Sequence, residues 1–260
     1  MSVTAHAISL TTPLDAAQVA VVIPARNEAA SIRDIALACM QQVKHVIVID
    51  DASSDDTREQ LKDLPITLLH SDTQLGKGGA LAWGFRKALE LDAHAVITLD
   101  GDGQHDPTDI PQFIAAANRY PQHLVLGARL KHQQRAPRRR LIANRIADFW
   151  ISWAAGQPIR DSQCGHRLYP TELLREVTAR SSVHFGFVFE SEILIESARH
   201  RFDVVVVPIE SRYPPHARAS HFHPARDIWR ITKMVSGKLL LRGFYLHGLI
   251  NSLVRRPVVV

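Results

Sequence analysis

The sequence is poor in cysteine and has no long hydrophobic run, and each shortage narrows what the chain can be. Cys39 and Cys164 are its only cysteines. With no C-x-x-C spacing they supply neither a disulfide framework nor a zinc or redox pair, and a reducing compartment is expected. The longest uncharged stretch of the C-terminal segment, Gly243–Val254, is shorter than the ~20 apolar residues that span a bilayer, so no transmembrane anchor is expected there. Residues 1–18 lack a basic start followed by an apolar run and read as a short tail rather than a signal peptide. The pattern G-x-x-x-x-G-K-[ST] is missing, which excludes a Walker P-loop. No G-x-G-x-x-G follows the first apolar run, which weakens a dinucleotide-binding reading. Neither sign of charge dominates: 31 basic against 26 acidic residues leave +5. That excess carries meaning only where it clusters, and Arg129, Lys131, Arg135, Arg138, Arg139, Arg140 and Arg145 do cluster. No nucleic-acid partner is expected.

What the chain does have is a regular alternation. At 260 residues and 46% apolar content it can bury one substantial core. Short β-branched runs alternate with helical stretches, which predicts an α/β fold with a mostly parallel, doubly wound sheet flanked by helices. Val19–Ile23 is the first strand, stopped by Pro24, and Asn27 is placed to cap a helix carrying Ile32, Ile35, Cys39 and Val43 on one face. His45–Ile49 is the second strand. It ends in the acidic turn Asp50–Thr57, which supplies caps for a helix beginning near Thr57. Ile66–Leu69 is a third strand, and a helix runs from the Gly76-Lys77-Gly78-Gly79 turn to about Leu89.

The run Val96–Pro107, VITLDGDGQHDP, is the centre of this pattern. Residues i and i+2 of an extended chain point the same way, so Asp100 and Asp102 both aim into the crevice beyond a strand's carboxyl end, where open α/β sheets bind ligands. Two hard oxygen ligands with open positions suit Mg2+ or Mn2+. A bare Asp-Gly turn is the competing account. Asp50 and Asp51 suit either a nucleotide's base and ribose or a helix cap, and Gly76–Gly79 can bring N–H groups and the Lys77 ammonium to a diphosphate.

The set VVIPARNEAASI, VIVIDDASSDDT, QLGKGGAL, VITLDGDGQHDP, LGARL, DSQCGHRLYP and FGFVFESEIL, in that order over roughly residues 19–215, resembles the family 2 glycosyltransferases of GT-A fold. It is most similar to the polyprenyl- (dolichyl-) phosphate mannose synthase branch. The resemblance implies donor contacts at Pro24, Ala25, Arg26, Glu28, Asp51, Lys77 and Asp100. It implies a divalent metal held by Asp100, Asp102 and Gln104 on the donor diphosphate, where the cation offsets the repulsion between phosphates and carboxylates. Gly127-Ala128-Arg129 matches the G-S-R element with Ala for Ser, leaving Arg129 for phosphate. Asp161–Arg167 resembles D-x-x-x-G-F-R, with His166 where Phe is common, which alters the expected sugar or acceptor subsite. Asp102, Glu190 and Arg129 are the implied catalytic residues. Phe185–Glu192 is expected to open a helix with Glu190 and Glu192 on different faces. Glu190 is either a general base or the ion partner of an arginine in the basic loop.

Beside a donor diphosphate, the basic loop Arg135–Arg140 reads as an acceptor platform, since guanidinium forks pair with phosphate. Arg138, Arg139, Arg140, Arg167, Arg212, Arg218, Ser220 and His221 are the expected acceptor or phosphate contacts, the last four in a loop, Ser211–Pro224, after the strand Val204–Ile209. Asp227–Arg256 mixes large apolar residues with cations and suggests amphipathic helices on anionic lipid. Burial against the domain, or against a second subunit as a homodimer, is the alternative. The expected layout is thus a tail (1–18), a GT-A catalytic domain (19–223) and a C-terminal amphipathic segment (224–260), in the cytoplasm or peripherally on the cytoplasmic face of a membrane. The function expected is metal-dependent, inverting transfer of a hexose from a nucleotide diphosphate sugar to a polyprenyl-phosphate or other lipid-linked acceptor. Transfer to a hydroxyl of a soluble acceptor, a sugar nucleotidyltransferase and a non-catalytic nucleotide-sugar binding protein are the alternatives.

Overall fold

Runs of Val and Ile without polar alternation need cover on both faces, the signature of a parallel sheet between helices. The computed structural model describes residues 13–130, 138–180, 188–210 and 224–260, with backbone alone at 138–140, 178–180 and 224–228. In chain order its elements are β1 (Val19–Ala25), α1 (Ile32–Met40), β2 (His45–Asp51), β3 (Thr67–Ser71), α2 (Gly76–Glu90), β4 (Ala95–Thr98), α3 (Ile110–Arg119), β5 (Leu124–Ala128), α4 (Arg138–Ala155), β6 (Arg167–Pro170), α5 (Thr171–Arg180), α6 (Phe189–Arg199), β7 (Val204–Pro208), α7 (Pro224–Leu241), α8 (Leu246–Val254) and β8 (Val258–Val259). The strands form one sheet in the order β3-β2-β1-β4-β6-β5-β7-β8. Among the described strands only β6 runs antiparallel to its neighbours. The expected mostly parallel sheet flanked by helices is therefore present.

The core sits on β1, β2 and β4, where Val19–Ile23 and Ile47–Ile49 are fully buried. Each such aliphatic side chain contributes roughly 1.5–3 kcal/mol when buried. Helix α2 reaches this sheet with small residues. A Cβ on Gly84 would lie 2.8 Å from the Ile49 Cδ1 and closer still to Val22, so glycine there sets the helix-to-sheet distance.

Three local expectations change. Strand β1 does not stop at Pro24: Pro24 and Ala25 stay in register with Ile49 and Asp50. Alternate residues of a strand face alternate neighbours, and β4 leaves the ladder after Thr98 pairs with Val22, so the missing N–H of Pro24 faces no strand. Asn27 does not cap α1, whose N-cap is Ser31. Its backbone is left-handed (φ 56°), its N–H donates to the Ser53 hydroxyl at 2.9 Å, and its side-chain oxygen accepts from Ser54 N–H at 2.7 Å. Thr57 likewise accepts from Glu28 N–H at 2.7 Å, and only a short 3-10 turn, Glu59–Leu61, follows where a helix was expected. The first two loops are thus stitched to each other.

Arg138–Arg140, expected within a loop, instead open α4; residues 131–137 lie outside the described residues. The C-terminal segment forms the expected helices α7 and α8, joined by a kink at Gly243–Tyr245. Helix α7 buries Ile231, Val235 and Leu239 at four-residue spacing and leaves Trp229, Leu240 and Leu241 exposed, while β8 pairs with β7 at the sheet edge. Among the described residues no helix is long and apolar enough to cross a membrane.

Candidate active site

The carboxyl ends of β1, β2 and β4 face one crevice, and the DGD run enters it directly after β4. Asp100 Oδ1 lies 2.7 Å from Lys77 Nζ, and the same ammonium lies 3.0 Å from Glu190 Oε2. Three residues far apart in sequence, from the start of α2, the end of β4 and the first turn of α6, thus share one charge centre. Burial alone would depress the Lys77 ammonium, but the attraction of Asp100 and Glu190 outweighs it and holds its pKa above the ordinary lysine range. For Asp100 burial works upward, and Lys77 with His105 overcomes it, so this carboxyl stays well below the usual range. Asp102 goes the other way: burial and the neighbouring Asp100 charge raise it. Its Oδ1 accepts from Gln104 N–H at 3.0 Å, which folds the turn back on itself.

Among the described residues no group of three or more His, Cys, Asp or Glu side chains forms a ready metal cage. Asp100, Asp102 and the Gln104 side chain form a sparse set of hard oxygens. That fits a cation such as Mg2+ or Mn2+, which binds through one or two carboxylates and takes its other ligands from substrate phosphate and water.

Around this centre the remaining expectations separate. Glu28 lies against Gly101, and Arg26 Nε is buried without a hydrogen-bond partner at the first loop. Asp51, expected at the donor's base, has both carboxylate oxygens engaged by the start of α2, accepting from Leu75 N–H at 2.5 Å and Gly76 N–H at 2.9 Å. At 4% exposure it serves as a cap delivered from the neighbouring strand. Arg129 is not an open guanidinium: its Nε and Nη2 donate to Asp161 at 2.7 and 2.6 Å, and its backbone N–H donates to the same carboxylate at 2.8 Å.

Arg167 requires a correction. It was expected among the acceptor contacts, yet it is fully buried, donating from Nε to the Cys164 carbonyl (2.8 Å), from Nη1 to Glu190 O (2.6 Å) and from Nη2 to Ser162 O (2.7 Å). A guanidinium so enclosed ties the 161–167 loop to α6 and has no path to a substrate. Glu190 and Glu192 do look apart, the first to Lys77 and the second to Lys238 on α7 at 2.9 Å. Among the described residues the ion partner of Glu190 is thus Lys77. Arg138, Arg139 and Arg140 have only their backbone described, and Arg212, Arg218, Ser220 and His221 lie outside the described residues.

Two residues beside the centre carried no expectation of this kind. His105 is buried with Nε2 3.7 Å from Asp100 Oδ2. Its only sequence signal is adjacency to the DGDGQ run. Gly165 passes so close that a Cβ there would lie 2.7 Å from Asp100 Oδ2 and 3.0 Å from Lys77 Nζ. Next to it His166 is fully buried and stacked on Phe113 at 4.2 Å, with neither ring nitrogen hydrogen-bonded. Burial lowers its pKa well below the ordinary histidine value, so it packs as a neutral aromatic, as a Phe would.

The profile of glycosyl transferase family 2 matches residues 20–178. A UDP-N-acetylglucosamine–dolichyl-phosphate N-acetylglucosaminyltransferase of Methanococcus voltae is 26% identical over 244 residues, 84% of this chain and 96% of the relative. An undecaprenyl-phosphate mannosyltransferase of Micrococcus luteus is 30% identical over 177 residues, 63% of this chain and 70% of the relative. Among solved structures, glucosyl-3-phosphoglycerate synthase from Mycobacterium tuberculosis, in complex with Mn2+, UDP-glucose and phosphoglyceric acid, aligns at a TM-score of 0.61 and 21% identity over 86% of this chain and 79% of that one. At that identity the likeness establishes the GT-A fold. Because the profile spans more than half of the sequence, this enzyme belongs to the family 2 glycosyltransferases, among relatives named for dolichyl- and undecaprenyl-phosphate acceptors.

Proposed function

We propose that this glycosyltransferase moves a hexose from a nucleotide diphosphate sugar to a polyprenyl phosphate at a membrane surface, with inversion at the anomeric carbon and a divalent cation on the donor. The observation that carries the reading is the Asp100–Lys77–Glu190 centre beside Asp102: neighbouring carboxylates just beyond a strand end, with one ammonium in contact with both Asp100 and Glu190. Asp100, Asp102 and Gln104 would hold Mg2+ or Mn2+, which offsets the charge of the nucleoside diphosphate as it leaves. Pro24, Arg26 and Glu28 would line the nucleotide's side of the crevice, backed by the buried Ala25 and by Asp51 as the cap of α2, and Arg129, fixed by Asp161, would meet phosphate as part of that pair. The acceptor phosphate is already an anionic nucleophile, so Glu190 holds Lys77 in place rather than removing a proton. Arg138, Arg139 and Arg140 at the start of α4, with Arg212, Arg218, Ser220 and His221, receive the acceptor phosphate.

Chemistry of the surface supports a lipid acceptor. Helices α4, α7 and α8 expose Ile142, Trp150, Trp229, Leu241, Ile250 and Leu253, with Arg145, Arg230, Lys233, Arg255 and Arg256 exposed near them. A groove of about 280 Å³ between α4 and α7 is lined by Ile142, Ala143, Ile146, Ala147, Trp150 and Ile231. Apolar area with flanking cations is what interfacial binding to anionic lipid requires. It would hold the enzyme peripherally on the cytoplasmic face, with a second copy of the chain as the other cover for the same patch. The tail, catalytic domain and amphipathic segment would then divide the chain as the sequence suggests.

One observation favours a second reading. Glu190 Oε1 is buried without a hydrogen-bond partner, a state suited to a general base that takes a proton from an acceptor hydroxyl. Transfer assays with a panel of nucleotide sugars, with Mn2+ or a chelator, separate the two. The proposal expects Mn2+-dependent transfer to a short-chain polyprenyl phosphate, giving a sugar phosphodiester of inverted configuration. Transfer to a hydroxyl acceptor alone would install the second reading, and chelator-resistant transfer would remove the metal.

A further inference from the structure

Helix α4 carries one acidic residue, Asp148, within a stretch that is otherwise basic, apolar or neutral. It turns away from the exposed apolar face and accepts two adjacent backbone N–H groups, Asp161 at 3.0 Å on Oδ2 and Ser162 at 2.8 Å on Oδ1. Two neighbouring donors at one corner need two acceptor oxygens on one planar group. A carboxylate has them; an amide has one and would set its NH2 against the other N–H. The choice of Asp over Asn is therefore informative.

The corner it holds is unusual. Asp161 is left-handed (φ 54°), a conformation that Asp tolerates better than most non-glycine residues and that its surroundings hold in place. Three contacts do so here: Asp148 takes its N–H, Cys164 N–H donates to its carbonyl at 2.9 Å, and its carboxylate grips Arg129. From this corner the chain runs to Gly165, whose carbonyl accepts from the Thr98 hydroxyl at 2.6 Å and whose Cα rests against the Asp100–Lys77 pair. The carbonyl of His166 then accepts from Gly127 N–H at 2.9 Å. A displacement at Asp161 and Ser162 reaches Arg129 directly and Gly165 within one short loop.

We propose that Asp148 is a positioning residue for sugar transfer, holding the Asp161–Ser162 corner so that Asp161 clamps Arg129 and Gly165 stays packed against Asp100. It rests on the function proposed above, in which Arg129 and Asp100 meet the donor. Asp148 touches neither substrate nor metal. It joins α4, which carries the acceptor-side surface, to the loop that backs the donor side.

Asp148→Asn in the full-length protein tests this, because it keeps shape and removes one acceptor. Expected is a fall in kcat/KM for the nucleotide sugar of roughly ten- to a hundredfold, the range seen when a partner that orients a ligand group is lost. Asp161→Asn should cost as much, and the double variant should lose little more than either single one, since both act through the same clamp. Amide exchange should quicken over residues 161–167 and stay unchanged in β1 and β2. Faster exchange with normal kinetics, or losses that multiply in the double variant, would overturn the proposal. If Asp148→Asn does not fold, Asp148→Glu, which keeps both oxygens but moves them outward by a methylene, is read by the same two measurements. Should the wild type transfer no sugar, the functional reading falls by itself, and unchanged loop exchange in the variant would separately remove the hold assigned to Asp148.

Discussion

The two halves of the sheet are built by different means. From β1 to β4 the strands β1, β2 and β4 are almost wholly buried and β3, at the sheet edge, is half-buried, and the loops at their carboxyl ends are joined by short side-chain-to-backbone bonds: Asn27 with Ser53 and Ser54, Thr57 with Glu28, Asp51 with the start of α2. From β5 onward the strands β5 and β7 are equally buried, and the elements around them are tied by charged side chains: Arg129 with Asp161, Asp148 with the loop corner, and Lys238 with Glu192 and Glu196. This second half also turns large apolar side chains to solvent, Leu241 at 89% exposure among them. A site for a compact, charged, soluble donor gains from a preorganised cage of short bonds. A surface for a partly apolar acceptor must leave apolar area uncovered until the partner arrives.

The comparison breaks most sharply at the carboxylates proposed to hold the cation. Asp102→Asn is expected to cut Mn2+-supported transfer by about three orders of magnitude, since a cation clamp supplies several kcal/mol to the departing diphosphate. Its thermal midpoint should hold or rise slightly, because burial and then the Asp100 charge both disfavour the ionised Asp102 carboxyl, and the amide escapes both. Turnover and a melting curve with and without Mn2+ check both; near-normal turnover would leave the donor half without its metal.

A smaller effect is expected across the divide. Replacing Arg138, Arg139 and Arg140 together by Ala should raise the acceptor KM by roughly ten- to a hundredfold, the net loss of about one charge-assisted bond at ~1.5–3 kcal/mol, and move the donor KM little. Steady-state kinetics with each substrate varied decide it. Equal shifts in both constants would mean that the halves do not divide the labour in this way.

The smallest effect belongs to the outer face. Deleting residues 224–260 is no clean probe, because Ile231, Val235 and Leu239 are core and β8 pairs with β7. Leu241→Glu touches only the exposed side. It should weaken co-sedimentation with anionic vesicles about tenfold, the lower end of the ~1.5–3 kcal/mol that burying a leucine contributes, without changing the melting temperature. Binding of the wild type should also fall as salt rises, since exposed charges are screened beyond ~10 Å at 0.1 M. Unchanged vesicle binding would assign the patch to a second copy of the chain, which size-exclusion chromatography would then detect.

Much of the first half was legible before any coordinates. Strand runs of Val and Ile, the stripe Ile32–Ile35–Cys39, the glycine turn opening α2 and the DGD at a strand end all follow from period, propensity and turn chemistry among neighbours along the chain. Asp100 and Asp102 do sense each other's charge, but β4 ends at Thr98 and a turn carries Asp102, so it is this turn and not the two-residue period of a strand that relates them. Less followed for the second half. The arginine of the DSQCGHR element read as a ligand contact, because sequence gives its charge but not that three carbonyls enclose it. Asp148 gave only a weak signal, a single acid amid apolar neighbours.

What the sequence determined by itself is therefore the local grammar: which segments become strands, though not where β1 and β2 stop, and that two carboxylates closely follow the central one. Tertiary structure alone decided who meets whom. Lys77 bridges Asp100 and Glu190 because α2 and α6 converge on the end of β4, Arg167 is buried because β6 runs antiparallel into the sheet, and Asp148 reaches Asp161 because α4 packs over its own outgoing loop. Backbone preference acts over a few residues, whereas ion pairing and desolvation depend on distances through space that only the folded path sets.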